Sequence, residues 1–445
     1  MMLRDRCRLI FTLIAVLAVP ATGSWAQSAS RAQSAPRAIA EPDPADPFFD
    51  DTVVHDIKLT INTRDWESLK INYLDNTVYA CYFQWTNQTI RNVGIRSRGT
   101  GSRSGIKPGL RVDFDYFSTD QKFLGLKSVI LRNNTQDASN MRERVSMLFF
   151  RRMEVKAVRE AHARLFINSE YAGVYTIVES IDKNFLKKNF GENDGHLYEY
   201  KFDTAAPRPF DFGYPGSDAA LYTPLPFKPQ THENDPQGEV LERLFWTVNQ
   251  AGDAIWRTAM EEFLDLKQFL KHVAIENFLA DQDAIDGDYG PNNFYLYRFE
   301  KKNLFIFLPW DKSQAFWESP SPNYFIFRNI EDGTETHRNR LVVRALRDAE
   351  LREFYLDTLL ACADQAQALS DATPSAPGSE PLGWLEAEIV REYGQIRQAV
   401  LADTTKITSN EDFEKAYADI STFARQRSSN VREQVAADRA RRAQQ

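Results

Sequence analysis

Histidine and cysteine are scarce in this chain of 445 residues, which holds six of the first and three of the second. No histidine stands in an HExxH pattern and no serine in GxSxG, so the usual signatures of zinc peptidases and α/β-hydrolases are missing. Positive charge is also in deficit: 54 Lys and Arg face 62 Asp and Glu, for a net charge of −8. A protein without a cationic field is a poor nonspecific nucleic-acid binder. Beyond the N-terminus no apolar run is long enough to cross a bilayer, and no internal repeat is present. The glycines fall in neither a Walker loop nor the G-x-G-x-x-G spacing of kinases.

What is present begins with a leader. Arg4, Arg6 and Arg8 precede an apolar run from Leu9 to Val19, and Ser24-Trp25-Ala26 offers a cleavage site before Gln27. This pattern predicts a signal peptide over 1–26 and an exported protein, periplasmic, cell-surface or extracellular. Loss of three arginines and one aspartate with the leader makes the mature chain more acidic still. Cys7 leaves with it. Cys81 and Cys362 remain, either bridged in an oxidising compartment or buried as free thiols. Residues 27–50, rich in Ala, Ser, Pro and Asp, read as a disordered linker. The expected folded domain covers 51–435, with a charged tail over 436–445.

Alternating and β-branched runs predict strands over Val53–Ile61, Val78–Trp85, Thr89–Arg98, Leu110–Phe117 and Lys127–Arg132. A helix follows over Asp137–Arg152 with Ser139 as its N-cap, then a hairpin of Arg164–Asn168 and Val174–Glu179. Helical periodicity takes over in Glu239–Asn249, Asp253–Glu262, Leu266–Leu279, His337–Ala366, Leu382–Ala402 and Asn410–Ala437. The fold class is α+β, with a β-rich N-terminal lobe (about 51–203) and a mainly helical C-terminal lobe (about 204–435). The rings of Phe305, Phe307, Phe316 and Trp317 are expected in the core. The cation-rich stretches Arg340–Arg352 and Arg425–Arg442 are expected on solvated faces.

One apolar hairpin interrupts the helices, Asn293–Phe299 and Leu304–Leu308 joined by a polar turn. Its open end should bring Asn293 beside Asp311 of Pro309-Trp310-Asp311, with Asp283 in the acidic loop just before. Carboxylates and a carboxamide at strand ends are the hard oxygen donors that Mg²⁺ or Ca²⁺ prefers, and a further carboxylate can orient a hydroxyl nucleophile. An EF-hand is a worse fit, because the loop has one residue too many before Gly287 and Asn292 stands where a bidentate Glu is needed. A second constellation, Arg96 to Lys107, is a Gly- and Ser-rich turn between strands whose amides and cations suit phosphate.

Six blocks in order, among them IRSRGTGSRSGIKPGLRVDF, ENFLADQDAIDGDYGPNNFYLY and IFLPWDKSQAFW, make the chain resemble the spore-coat protein H (CotH) kinase family from about Asp56 to Gln434. The resemblance implies an atypical protein-kinase-like two-lobed fold that uses ATP as co-substrate with Mg²⁺ (or Mn²⁺/Ca²⁺) to phosphorylate Ser or Thr of a protein partner. Acidity and the lack of a later long apolar run lead, independently, to the expectation of no nucleic-acid partner and no membrane span in the mature chain. Carried over by position, Asp283 orients the hydroxyl while Asn293 and Asp311 hold the metal. Nucleotide contacts fall on Arg98, Gly99 and Gly101 of the turn and on Lys107 as the phosphate-facing cation, with Arg111 second. Glu143 is expected to pair that cation, and Glu179 to border the nucleotide. The chain departs from the family at Ser313, where a second acidic residue often follows the Pro-Trp-Asp aspartate, and in Gly-Thr-Gly of the turn. A non-catalytic envelope or structural protein on the same scaffold is the alternative, and a secreted metal-dependent hydrolase a third.

Overall fold

Period-two burial explains the first half of the chain: along β1 (His55–Ile61) residues 55, 57, 59 and 61 are buried and those between are not. The computed structural model describes residues 42–201, 210–331, 338–369 and 381–444. In it β1 joins β2 (Tyr79–Trp85), β3 (Gln88–Ser97), β4 (Leu110–Asp113), β5 (Ser128–Arg132), β6 (Glu160–Ile167) and β7 (Glu170–Glu179) in a closed barrel, order β1-β2-β3-β4-β5-β7-β6. Every pairing is antiparallel except β1 with β6, where Ile57 lies opposite Leu165 in a parallel ladder that closes the barrel. Closure removes both sheet edges.

The barrel interior is aromatic. Phe48 meets Trp85 and Phe123 edge-on at 5.4 and 5.0 Å, and Phe83 meets Phe114 at 5.1 Å. Phe48 comes from a 3-10 turn, Asp46–Phe49, inside the stretch read as linker. Of that stretch, 27–41 lies outside the described residues, as does the whole leader, but its last residues are part of the core. Two apolar rings six and seven residues before the start of β1 were the missed signal.

A second sheet, order β11-β10-β8-β9, is built from β8 (His196–Tyr200), β9 (Phe227–Pro229), β10 (Phe294–Arg298) and β11 (Phe305–Pro309). Helices α1 (Thr63–Ile71), α2 (Arg142–Arg152) and α3 (Lys183–Phe190) belong to the first half. Helices α4 (Gly238–Gln250), α5 (Asp253–Glu261), α6 (Leu266–Phe278), α7 (Arg340–Ala345), α8 (Ala349–Gln367), α9 (Trp384–Leu401) and α10 (Asn410–Arg442) make up the second. Helix α6 packs on α8, α8 on α10 and α10 on α9.

The fold is therefore α+β as expected, but residues Pro44–Gln445 cohere as one compact unit rather than separating into two. Several local expectations change. Helix α2 starts at Arg142 with Met141, not Ser139, in the N-cap position, and Asp137 Oδ2 accepts from the Arg142 amide at 2.8 Å. The predicted helix over His337–Ala366 breaks at Asp348, which accepts from the amides of Glu350 and Leu351 and starts α8 afresh. The charged tail is the last turns of α10. Trp317 is exposed, whereas Phe305, Phe307 and Phe316 are buried. Cys81 lies inside the barrel and Cys362 in α8, both as free thiols, and burial pushes the Cys81 thiol up to about 12. No helix among the described residues is long and apolar enough to cross a membrane.

Phe48→Ala should lower unfolding stability by about 3–5 kcal/mol, the cost of emptying an aromatic site in a closed core. Urea denaturation checks it, and a loss below about 1 kcal/mol would detach this segment from the barrel.

Candidate functional site

The hairpin β10–β11 sets the site. Its last ladder pair is Phe294 with Pro309, and one step beyond it the Trp310 amide donates to Asn293 O at 3.1 Å. Asn293 and Asp311 thus stand at adjacent strand ends. Both adopt left-handed backbone, with φ of 58° and 48°, a conformation that Asn and Asp tolerate better than most residues and that turns their side chains off the ladder. Asn293 Nδ2 donates to Asp283 Oδ2 at 2.8 Å and to Asp283 O at 3.0 Å, and Asn292 Nδ2 donates to Asp283 Oδ1 at 3.0 Å. The three residues singled out from sequence are together.

On the barrel side, the guanidinium of Arg132, at the end of β5, reaches Asp311 Oδ1 at 2.6 Å and Glu143 Oε2 at 3.0 Å. Burial alone would raise the Asp311 carboxyl, but Arg132, Arg98 and the Ser313 hydroxyl (3.0 Å) bring it down to about 2. Burial drives Glu143 the opposite way, well above the carboxylate range, and its neighbour Glu160 rises to about 7. The oxygens of both carboxyls are closed off from solvent and accept no hydrogen bond among the described residues, so burial favours their neutral forms. Asp283 is also raised, first by burial and then by the nearby charge of Asp311, against the pull of its two amide donors. A carboxylate on this footing is a better proton acceptor than a free aspartate.

The cation that pairs Glu143 is Arg132, not Lys107. Lys107 is fully buried with its ammonium 2.6 Å from Asp403 Oδ2. Glu179 is likewise engaged, by the Arg159 guanidinium and by the Arg159 amide at 3.0 Å. Arg111 pairs with Asp113 at 2.6 Å while lining the cavity described below. Arg98 has no ion pair or hydrogen bond from its guanidinium among the described residues and lies 5.8 Å from the Trp310 ring centroid. Gly99 holds a φ of 115°, which a side chain would strain, and Gly101 follows in the open part of the turn. The turn is not a loose flap: Arg103 ties Gly99 O (2.8 Å) to the carbonyls of Tyr73, Leu74 and Asp75 beyond α1. Asn133, next to Arg132, donates to Ser102 O and Lys107 O at 2.9 and 2.7 Å and so seats the turn against the end of β5.

A cavity of about 270 Å³ opens between the barrel and the second sheet, lined by Arg111, Ile130, Ile181, Leu197, Tyr295 and Trp310. Trp310 joins it to Asp311. Flat apolar walls beside a cluster of cations suit a planar ligand carrying phosphates.

Beneath the site, Lys312 is shielded from solvent, its ammonium 2.5 Å from Glu276 Oε1 and 3.1 Å from Asp281 Oδ2. Glu276 of α6 also accepts from the Ile285 amide (3.1 Å) and meets His272 Nε2 (3.1 Å). Sequence reasoning missed Arg132, Glu276 and Lys312. The available signals were an arginine ending the apolar run Ser128–Arg132 and a His and a Glu four residues apart in α6, amid the apolar Leu270, Val273, Ala274 and Ile275.

The donor set bears on the metal. Asn293 Oδ1 and Asp311 Oδ2 have no partner among the described residues, and both are hard oxygens of the Mg²⁺ type. No group of three His, Cys, Asp or Glu among the described residues could hold an ion. The pair therefore fits an ion that completes its shell from phosphate and water.

Asp286, hydrogen-bonded by Asn277 at 2.8 Å, is pushed up to about 8 by burial and then by the charge of Glu276. The folded state keeps this proton while the unfolded chain releases it near pH 4, so its contribution is complete below about 4 and vanishes as pH rises through about 8. Asp286→Asn should flatten the fall in urea midpoint between those limits, and parallel slopes in variant and wild type would refute the assignment.

Two comparisons relate the chain to known proteins. The profile of the family described as CotH kinase protein matches residues 95–431. Inner spore coat protein H of Bacillus subtilis (strain 168) is 22% identical over 384 residues, covering 85% of this chain and 96% of the relative.

Proposed function

The chain belongs to the CotH kinase protein family, and we propose that it is an exported, ATP-dependent protein kinase that phosphorylates Ser or Thr hydroxyls. The observation that carries the reading is one connected site: Asp283 bonded to Asn293, Asn293 beside Asp311, and Asp311 paired through Arg132 with Glu143. In this reading Asp283 accepts the proton of the attacking hydroxyl and fixes its direction. Arg132 and the unpartnered Arg98 offset charge on the transferring phosphoryl, and Glu143 holds Arg132 in place. Asn293 Oδ1 and Asp311 Oδ2 would hold the divalent ion, which would supply charge neutralisation to the phosphates. The 270 Å³ cavity beside Trp310 takes the base, with Gly99 and Gly101 bordering the phosphates. The barrel then plays the smaller lobe of a kinase and the helical region the larger.

The Bacillus subtilis relative is a coat protein by name, and this and the leader expected over 1–26 support a location outside the cytoplasm. A second reading, a non-catalytic coat or envelope scaffold, is favoured by one observation. Ser313, where the family often has an acid, gives Asp311 a hydroxyl donor instead of giving the ion a ligand.

Mature protein incubated with γ-labelled ATP and Mg²⁺ or Mn²⁺ should label itself or an added protein. Asp283→Ala, Asp311→Ala and Arg132→Ala should each reduce transfer by about 10²-fold or more. Equal labelling by wild type and all three variants would discard the kinase.

A further inference from the structure

A second cavity, of about 400 Å³, lies between the end of α4 and α7 and is lined by Asn249, Asp253, Arg338, Arg340, Arg344 and Arg347 with two valines. Four guanidiniums and one carboxylate face it, on a chain whose net charge is −8. Two of the four are committed. Arg344 donates to Val248 O at 2.8 Å and to Ala251 O, and pairs with Asp253 at 2.8 Å. Arg340 Nε meets Asp211 Oδ2 at 2.9 Å.

The other two are not. Arg347 is exposed, and its guanidinium has no ion pair or hydrogen bond among the described residues. Arg338 gives one terminal nitrogen to Glu331 O (2.9 Å), while its Nε is shut off from solvent and finds no acceptor among the described residues. A buried donor without an acceptor is unfavourable, and a guanidinium answers best to a planar or tetrahedral anion that takes two N–H groups at once. Among the described residues no aromatic ring lines this cavity, which sets it apart from the one beside Trp310 and makes a nucleotide a poor occupant.

Its place in the fold connects it to the proposed chemistry. Asn339, between Arg338 and Arg340, donates to Ile285 O at 3.0 Å. Ile285 stands two residues after Asp283, a step of at most about 7 Å. The Arg340 amide donates to Asp211 O at 3.1 Å, and Asp211 and Asp283 both act electrostatically on the buried Tyr200 hydroxyl of β8.

We propose that the Arg338–Arg347 cavity is a subsite for an acidic side chain, carboxylate or phosphate, in the protein substrate, a few residues from the hydroxyl that Asp283 would orient. The assignment to a substrate rests on the kinase reading; the affinity for an anionic side chain does not. An extended peptide advances about 3.3–3.6 Å per residue, so a short segment covers the interval.

Fluorescence anisotropy on the full mature chain tests this with three labelled peptides that share one serine and differ in flanking residues: Glu, phosphoserine or Gln. The Glu and phosphoserine peptides should bind at least about ten-fold more tightly than the Gln peptide, with a preference that weakens as salt rises. R338Q/R347Q should abolish that preference while melting close to wild type, because among the described residues neither side chain closes an ion pair and the two together make one exposed hydrogen bond, from Arg338 to Glu331 O. Phosphoserine ahead of Glu would identify phosphate as the better anion, and equal affinity would identify charge alone. Equal binding of all three peptides, or a preference that survives in R338Q/R347Q, overturns the subsite. Selective binding without any phosphoryl transfer would remove the kinase and leave the anion subsite standing; transfer that ignores acidic flanks would do the reverse.

Discussion

The geometry of the site turns on the ammonium of Lys312. It is enclosed completely, against Glu276 of α6 on one side and Asp281 of the acidic loop on the other. Desolvating an ion costs several kcal/mol, and the arrangement persists because two carboxylates and the Asn293 carbonyl at 3.4 Å surround it. Glu276 extends the cluster to His272 and to the Ile285 amide. Helix α6, the loop that carries Asp283, the start of β10 and the segment after β11 therefore meet at one charge centre. Removing one member of such a cluster strands the rest, at about 3–5 kcal/mol, so these segments cannot drift separately. The proposed phosphoryl transfer would ask chiefly for positioning, which a buried ion cluster provides without any side chain of its own at the reacting atoms.

The same device recurs through the molecule. Arg427 of α10 has no exposure and no carboxylate. It donates instead to the carbonyls of Asn277, Phe278, Pro322 and Tyr324 at 2.6–2.9 Å, which stitches the end of α6 to the segment beyond the hairpin. Arg144 of α2 reaches Glu388 and Glu392 of α9, and Glu392 also meets His162 of β6. Lys107 and Asp403, 296 residues apart, tie the glycine-rich segment to the end of α9. Each contact runs between the barrel side and the helical side, or between helices. That accounts for a chain whose sequence suggests two lobes cohering as one unit: interior cations act as cross-links in an acidic protein.

Much of the site was legible because it is local. A hairpin's ladder is set by its turn, so reading strands over Asn293–Phe299 and Leu304–Leu308 was enough to bring Asn293 against Asp311, and the loop before β10 could hardly send Asp283 far away. Alternation likewise revealed the barrel strands. The partner of Glu143 was not legible. Arg132 and Lys107 are both cations close to apolar strands, and the choice between them depends on Asp403, which no pattern near Lys107 announces. The same holds for the cation-rich helices. Arg427 and Arg432 sit on one helix with similar neighbours, yet the first is fully buried and the second pairs at the surface, because burial there follows from what packs on α10 rather than from α10 itself. The stretch before β1 failed for a different reason. Its composition is that of a linker, and two phenylalanines outweigh it only because a closed barrel needs a hydrophobic plug.

The balance of charge at Asp311 bears on how such a site would treat a bare cation. One Asp311 oxygen already accepts from Arg132 and Ser313, leaving a single carboxylate oxygen and one amide oxygen free. Mg²⁺ fills an octahedral shell and gives up water reluctantly, so two protein oxygens, one of them neutral and the other beside a guanidinium, bind it weakly. An acid at position 313 would have added charge and a third ligand; a serine adds a donor that lowers the basicity of Asp311. On the kinase reading, the pair would therefore favour an ion that brings phosphate oxygens of its own, with Arg132 and Arg98 supplying countercharge to them. A site weak for metal alone and cationic toward phosphate would then select the metal–triphosphate combination over either part.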